Sequence, residues 1–180
     1  MSGSPSDACD LTLDPNTAHR VLSLSEGNRK VTRVGEDQSY PDHPDRFDSL
    51  VQVLGREALT GRCYWEVEWD GAAVIGVTYR GITRRGGGDD SRLGLNNQSW
   101  GLDCSDGHYS AWYNGIETDL PLPPAGSTRV GVYLDRPAGS LSFYSRGRQP
   151  MARVPRLARR RINTGTAPQC YYDTHFICPV

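Results

Sequence analysis

A few residues have side chains of the types that bind metal ions. Cys104 and His108 are four positions apart, and a second set near the end of the chain comprises Cys170, His175 and Cys178. A structural zinc site needs four ligands in a suitable geometry, and here they would have to come from two unrelated segments. We therefore predict that the chain binds no metal ion.

Nucleophilic catalysis would require a nucleophile beside a base, with a third group that orients the base. The sequence has no Gly-X-Ser-X-Gly segment, and its 4 histidines, at positions 19, 43, 108 and 175, stand in no supporting context. Asp103 and Asp106 beside His108 are typical of a polar turn. These observations predict that the protein is not an enzyme and uses no cofactor.

The stretch "RRGGGDD", residues 84–90, has the glycine content of a phosphate-binding loop. Such a loop binds phosphate when a strand precedes it and a helix begins after it, because the first N–H groups of the helix then meet the anion. No helical pattern follows here, and no Gly-Lys-Ser/Thr is present. The stretch is therefore predicted to be a flexible loop of mixed charge, suited to contacts with a partner.

The length of 180 residues and the ordinary composition favour one domain, and the net charge of −1 hides an asymmetry. From Arg146 onward the chain has seven arginines and one aspartate, a charge of +6. The first 145 residues hold 13 basic and 20 acidic residues, a charge of −7. The negative charge of the first 145 residues disfavours specific nucleic-acid binding by that part of the chain. Only the basic tail has a charge that would attract nucleic acid.

Two further features of the sequence bear on its cellular compartment. No apolar run reaches the roughly 18 residues of a membrane span, and the first residues lack the apolar core of a signal peptide. The 5 cysteines have irregular spacings, without the two-apart pairs of zinc ribbons or redox motifs. We expect a cytoplasmic protein with free thiols and no membrane partner.

The elements that would position any site are strands. In "CYWEVEWDG" the alternation puts Trp65, Val67 and Trp69 on one face, which is typical of a half-buried strand. "AAVIGVTYR" follows after Asp70-Gly71, a strong turn dipeptide, so the two strands are predicted to form a hairpin. Because Val74–Tyr79 is largely apolar on both faces, its strand should lie centrally in a sheet.

Short strands and turns continue along the chain. Residues 81–99 lack periodicity and predict a long loop, Asn114-Gly115 predicts a hairpin, and "TRVGVYLD" should pair with "GSLSFYS". In the first sixty residues, "HRVLSLSE", "KVTRVG" and "LVQVLGRE" read as short strands. With no convincing amphipathic helix before residue 146, the pattern indicates an all-β sandwich.

Five segments, taken in order, carry a family resemblance. They are "LTLDPNTAHRVLSLSEGNRKVT", "RFDSLVQVLGREALTGRCYWEVEWDG", "AVIGVTYRGI", "NNQSWGL" and "VGVYLDRPAGSLSFY". In these motifs, from about Cys9 to Tyr144, the chain resembles the PRY-SPRY, or B30.2, domain. The resemblance implies a bent sandwich of two antiparallel sheets with concanavalin-like topology. It also implies a non-catalytic recognition module whose end loops form a shallow protein-binding surface.

Such domains occur in tripartite-motif ubiquitin ligases, butyrophilin-like proteins and nucleotide-binding leucine-rich-repeat immune receptors. The resemblance therefore implies target or signal recognition in innate-immune or ubiquitin-ligase-type pathways, with a protein ligand as partner. The predicted partner-binding residues lie mainly in or beside the end loops. They are Tyr40, Asp45, Arg84, Arg85, Asp89, Asp103, His108, Tyr113 and Arg136.

The expected organisation is an extension at 1–8, the PRY-SPRY domain at 9–145 with its PRY part at about 9–58, and an atypical basic tail at 146–180. After Tyr144 the family continues with strands that this sequence lacks, and their loss would open a sheet edge. The chain is therefore interpreted as a fragment or isoform with an irregular tail. Whether Tyr171–Ile177 substitutes as a strand stays open. The alternative function is an incomplete isoform whose tail binds RNA or acidic surfaces nonspecifically.

Overall fold

The computed structural model describes residues 7–105, 108–121, 128–145, 149–155 and 175–179. Regular structure in these residues consists of strands. They are β1 (Leu22–Ser25), β2 (Lys30–Arg33), β3 (Gln52–Leu54), β4 (Arg62–Glu68), β5 (Ala73–Thr78), β6 (Ser99–Ser105), β7 (His108–Tyr113), β8 (Ile116–Asp119), β9 (Arg129–Asp135), β10 (Ser140–Ser145), β11 (Gln149–Pro155) and β12 (His175–Pro179). Among these residues no helix has both the length and the hydropathy to cross a membrane.

The strands form two main sheets and a separate ribbon. The four-stranded sheet has the order β11-β10-β9-β4, the six-stranded sheet has the order β3-β12-β5-β6-β7-β8, and β1 pairs with β2. One hydrophobic cluster joins the sheets, with Trp65 and Val132 from the first packed in the same core as Ile75 and Leu102 from the second. The arrangement confirms the all-β antiparallel sandwich predicted from the strand pattern.

Strand β4 shows why alternation predicts burial correctly. Trp65 and Trp69 are buried on the inner face, while Glu66 and Glu68 on the opposite face are exposed. The side chains of a strand point alternately to its two faces, so the apolar set turns together toward the other sheet. Strand β5 is buried at every position and lies inside the six-stranded sheet, as its two apolar faces predict.

The predicted hairpin of β4 with β5 is wrong. Strand β4 pairs with β9, whereas β5 pairs with β6 and β12 in the other sheet. The turn at Asp70-Gly71 does exist, and Gly71 has a φ of 76°. It carries the chain from one sheet to the other, because a turn dipeptide specifies a reversal but not the strand that will be the neighbour.

Two other predicted hairpins are confirmed. Strands β7 and β8 are joined at Asn114 and Gly115, which have φ angles of 52° and 74°. Positive φ at both central residues is the geometry that suits the twist of a two-residue hairpin. Strands β9 and β10 pair through the turn at residues 136–139, as their sequence predicts.

Two strands lie inside the segment that was expected to be irregular. Strand β11 pairs antiparallel with β10, and Pro155 lies opposite Ser140. Strand β12 lies between β3 and β5 and runs parallel to both. The last part of Tyr171–Ile177 does form a strand, because residues 175–177 belong to β12. The triple-arginine segment 159–161 and residues 171–174 lie outside the described residues, so the tail-binding alternative is not addressed by the fold.

The expectation of free thiols is wrong for one pair of cysteines. Cys9 and Cys63 form a disulfide, with their Cα atoms 5.5 Å apart. The backbone N–H of Cys9 also donates to the carbonyl of Tyr64 at 2.9 Å, which lays the first segment against β4. A spacing of 54 residues carries no local signal of this pairing. Cys104 is a buried free thiol, and Cys170 lies outside the described residues.

Candidate functional site

Two loops meet at one end of the molecule, and we call residues 40–49 and 84–92 together the loop surface. Asp48 joins them: its carboxylate accepts from the backbone N–H of Gly86 at 2.8 Å, and its own N–H donates to the carbonyl of Arg84 at 3.2 Å. Arg85 lies 3.7 Å from the same carboxylate. The hydrogen bond from Ser49, followed by that from Gly86, holds the pKa of Asp48 below its ordinary value.

The first loop is built around the buried guanidinium of Arg46. Its Nη1 donates to the carbonyls of Pro15 and Ala18, and its Nη2 donates to the carbonyl of Pro41, all at 2.8 Å. The guanidinium also lies 4.8 Å from the ring centroid of Tyr40. Because five N–H donors in a rigid fork can bind several carbonyls at once, one side chain sets the path of the whole loop.

The second loop is anchored by Arg84, which is only 9% exposed. Its Nη2 donates to the carbonyl of Arg80 at 2.9 Å, and its guanidinium lies 5.1 Å from the ring centroid of Phe47. Burial lowers the pKa of Arg84, and the charge of Asp45 opposes that change. Arg84 therefore holds the two loops together rather than presenting its charge to solvent.

A small cavity of about 330 Å³ opens in the loop surface. Its lining is mixed in charge and includes Asp42, His43, Asp48 and Arg85. Arg20, also in the lining, forms an ion pair with Asp42 and lies 3.9 Å from Asp37. Since the charges of both signs are interleaved, the cavity suits polar side chains of a partner better than a single anion.

The structure does not bring all the predicted site residues together. Five of the predicted residues belong to the loop surface and come from its two separate loops. They are Tyr40, Asp45, Arg84, Arg85 and Asp89. Of these five, Arg85 and Asp89 are exposed, while Tyr40 is half-buried and donates its hydroxyl to the carbonyl of Leu22 at 2.7 Å. The assignment of the set to a partner stays a prediction.

Tyr113 and Arg136 form a second group, linked through an aromatic row. Tyr113 stacks on Trp100 with centroids 5.0 Å apart, and Trp100 meets Tyr79 edge to face at 5.9 Å. The guanidinium of Arg136 lies 5.5 Å from the ring centroid of Tyr79. Both predicted residues are half-buried, so packing against the row accounts for much of their surface.

Asp103 and His108 lie on the adjacent strands β6 and β7. Asp103 is fully buried opposite Val74 and Ser110, so it is not available for direct contact with a partner. His108 is exposed beside two carboxylates of β8, Glu117 and Asp119. Sequence reasoning placed His108 among partner-binding residues and missed this cluster, although the Asn114-Gly115 turn predicts that β7 and β8 lie side by side.

A larger groove of about 1520 Å³ runs between the β1–β2 ribbon and the outer edge of β4. Val31 lines it on the ribbon side, and Val67 and Trp69 line it on the β4 side. In the described part of the chain β4 has one partner strand, β9, and on its other edge Ala8 bridges only to Tyr64. The first segment thus covers this edge at a single point, and the predicted site residues did not include the groove.

Comparison with known proteins decides the family. The family model for the SPRY-associated domain, PRY, matches residues 11–59, and the model for the SPRY domain matches residues 62–161. The chain belongs to the PRY-SPRY family. The resemblance found in the five sequence motifs is thereby confirmed. PRY-SPRY domains are recognition modules, which agrees with the prediction of a non-catalytic chain.

The PRY-SPRY relatives come from very different proteins. Stonustoxin subunit beta of Synanceia horrida is 47% identical over 137 residues, which are 76% of this chain and 19% of the toxin subunit. Tripartite motif-containing protein 16 of Mus musculus is 42% identical over 140 residues, covering 76% of the chain and 25% of that protein. The chain thus spans about a fifth to a quarter of the length of these relatives.

A solved PRY-SPRY structure agrees with the fold. The crystal structure of the TRIM65 PSpry domain matches with a TM-score of 0.73 at 29% identity, covering 86% of this chain and 82% of that one. The sandwich is therefore the frame on which the loop surface stands.

Proposed function

We propose that this PRY-SPRY chain recognises a protein partner through the loop surface formed by residues 40–49 and 84–92. The observation that carries the proposal is the fastening of the two loops by Asp48, with the buried guanidinium groups of Arg46 and Arg84 beneath. Loops held in one conformation lose little conformational entropy on binding, so preorganisation favours affinity. Exposed Asp42, Arg85 and Asp89 then supply charges that select the partner.

The proposed pathway is target selection of the innate-immune or ubiquitin-ligase type. The likeness to tripartite motif-containing protein 16 and to the TRIM65 domain supports this setting. The likeness to a toxin subunit is no obstacle, because one recognition fold serves proteins of unrelated function. The loop sequences, rather than the sandwich, would decide which partner is bound.

The test compares capture of interacting proteins by the wild-type chain, by the R85A/D89A variant and by R129A. Arg129 is a matched control, since it is an exposed arginine on β9 that pairs with Glu66 and Glu68 outside the loop surface. We expect a specific partner to be recovered with the wild type and R129A, and with roughly tenfold lower affinity by R85A/D89A, equivalent to about 1.4 kcal/mol.

Thermal melts should first show that all three proteins are folded. Equal affinity of the wild type and R85A/D89A for every reproducible partner would refute the loop surface. A loss of affinity in R129A but not in R85A/D89A would point instead to the face of β9 and β4.

A further inference from the structure

A cluster of three potential ligands lies on the β7–β8 hairpin, away from the two anchored loops. His108, Glu117 and Asp119 each place one ligand atom within 4.8 Å of the others. The His108 Nε2 atom is 3.4 Å from Oε1 of Glu117 and 3.8 Å from Oδ1 of Asp119. All three side chains are exposed, so an ion from solvent can reach them directly.

The hairpin explains why these residues converge. Ser110 pairs with Asp119 and Trp112 pairs with Glu117, so residues at alternate positions of β7 and β8 share one face. The turn at Asn114 and Gly115 holds that register, and Ser105 of β6 pairs with His108 on its other side. The cluster is therefore built on paired strands, which position side chains more accurately than loops do.

The electrostatics of the cluster favour a cation. Two carboxylates approach one imidazole, and His108 is the ion-pair partner of both Glu117 and Asp119. Among the described residues, no lysine or arginine nitrogen lies within 4 Å of either carboxylate. With a neutral imidazole the cluster has a charge of −2, which a divalent ion would neutralise.

We propose that His108, Glu117 and Asp119 bind one zinc ion, contrary to the expectation from the sequence that the chain binds no metal. In tetrahedral zinc sites with ligands at about 2.0–2.2 Å, neighbouring ligand atoms stand about 3.3–3.5 Å apart. The His108 nitrogen is 3.4 and 3.8 Å from the two carboxylate oxygens, and all three ligand atoms lie within 4.8 Å of one another, so the exposed side chains must close in slightly around an ion. The fourth coordination position faces solvent and takes a water molecule, as in three-ligand zinc sites.

The chemistry of the ligands selects the class of metal. Calcium and magnesium are hard cations that take oxygen ligands, whereas an imidazole suits zinc and its first-row neighbours. Cys104, the cysteine nearest in sequence, does not contribute, because it is buried in the core between the sheets. Zinc competes with protons for the imidazole, so binding weakens in acid.

The experiment titrates the full chain with Zn²⁺ by calorimetry and follows the imidazole nitrogens of His108 by NMR. We expect binding that shifts the His108 signals, that weakens at least tenfold in H108Q and in E117Q/D119N, and that H43Q leaves unchanged. His43 is the matched control, a histidine of the loop surface. An excess of Ca²⁺ should not displace the zinc.

Three results would overturn the proposal. One is the absence of zinc binding at 100-fold excess over the protein. Another is equal affinity of the wild type and H108Q. The third is zinc binding that leaves the His108 signals in place, which would assign the ion to other residues. The zinc site does not depend on the proposed partner surface, because its readouts need no partner.

Discussion

The PRY part, about residues 9–58, and the sandwich strands from residue 62 onward differ in how much single side chains contribute to holding them together. In the PRY part single side chains bind backbone groups far away in sequence: Arg46 reaches three carbonyls, and the hydroxyl of Thr17 accepts from the N–H of Leu54 at 2.9 Å. In the sandwich the ladders of β4 with β9 and of β5 with β6 provide the bonds. The first region adds anchoring side chains to its short β1–β2 ribbon, and the second relies mainly on long backbone ladders.

This difference predicts where each region is vulnerable. Removing one anchoring side chain from the PRY part leaves several backbone carbonyls without donors, and each buried unsatisfied group is costly. In the sandwich most single side-chain changes leave the ladders intact. Its sensitive positions are those where two backbones approach too closely for a Cβ atom.

The largest expected effect is that of R46M. The substitution keeps an apolar side chain of similar length but removes the donors to Pro15, Ala18 and Pro41, so we expect a loss of about 3–5 kcal/mol. Urea denaturation measures the change. R29M is the control, because Arg29 is an exposed partner of Asp10 and its loss should cost less than about 1 kcal/mol. Equal effects of the two variants would contradict the anchoring role of Arg46.

G76A tests the sandwich. A Cβ atom at Gly76 would stand 1.9 Å from the carbonyl oxygen of Trp100, so β5 and β6 would have to separate. We expect a loss of about 2–3 kcal/mol in the same denaturation assay, as for other overpacked cores. At Gly61 a Cβ atom meets nothing within 4 Å, and G61A should change stability by less than about 0.5 kcal/mol. An unchanged free energy of unfolding in G76A would show that β5 and β6 can separate at little cost, against this prediction.

G115A should have a smaller effect on the sandwich. Gly115 has a φ of 74° but open space around its Cα, so the cost is backbone strain alone. We expect about 1 kcal/mol from the left-handed conformation, measured as a lower urea midpoint at unchanged m-value. A loss of stability as large as that of G76A would mean that the conformation of this turn also stabilises the neighbouring strands.

The smallest expected effect is a pH dependence in the PRY part from His19. Burial lowers the pKa of His19 and the charge of Arg33 adds to this, while a hydrogen bond with the backbone of Asp48 opposes the change. The folded chain then binds fewer protons than the unfolded chain between the two pKa values. Stability is therefore complete above the ordinary histidine pKa of about 6.5 and falls as the pH is lowered toward the folded pKa.

The measurement is the free energy of unfolding of wild type and H19Q at pH values from about 7.5 to 5. H19Q should show a shallower slope over this range than the wild type. Identical slopes for wild type and H19Q would assign the pH dependence to other groups.

The strands of the sandwich could be predicted well, whereas their pairing could be predicted only in part. The β7–β8 and β9–β10 hairpins were predictable because turn residues and alternating side chains lie within a few positions of one another. The supposed β4–β5 hairpin was wrong because Asp70-Gly71 carries no information about which sheet receives the next strand. A strand within Tyr171–Ile177 was left as an open possibility, and the place of β12 between β3 and β5 was not predicted.

The candidate sites show the same limit. Sequence reasoning chose Arg85 and Asp89 from the glycine-rich loop, and both are exposed. It also chose Arg84 and Asp103, which are buried, because a charged residue beside a loop gives no indication of what will cover it. Asp48, which fastens the two loops across 38 positions of sequence, was not chosen at all.

What the sequence alone determined was the all-β class, the inner and outer faces of its strands, the two-residue turns and the PRY-SPRY family. The strand faces and turns follow from patterns within a few residues, which the period of a strand imposes directly, whereas the family came from the resemblance of five motifs taken in order. Only the tertiary structure decided which strands share a sheet, that Cys9 meets Cys63, that the two loops close on Asp48, and that His108 faces two carboxylates. Contacts between distant segments arise from the packing of the whole chain, so no local pattern encodes them.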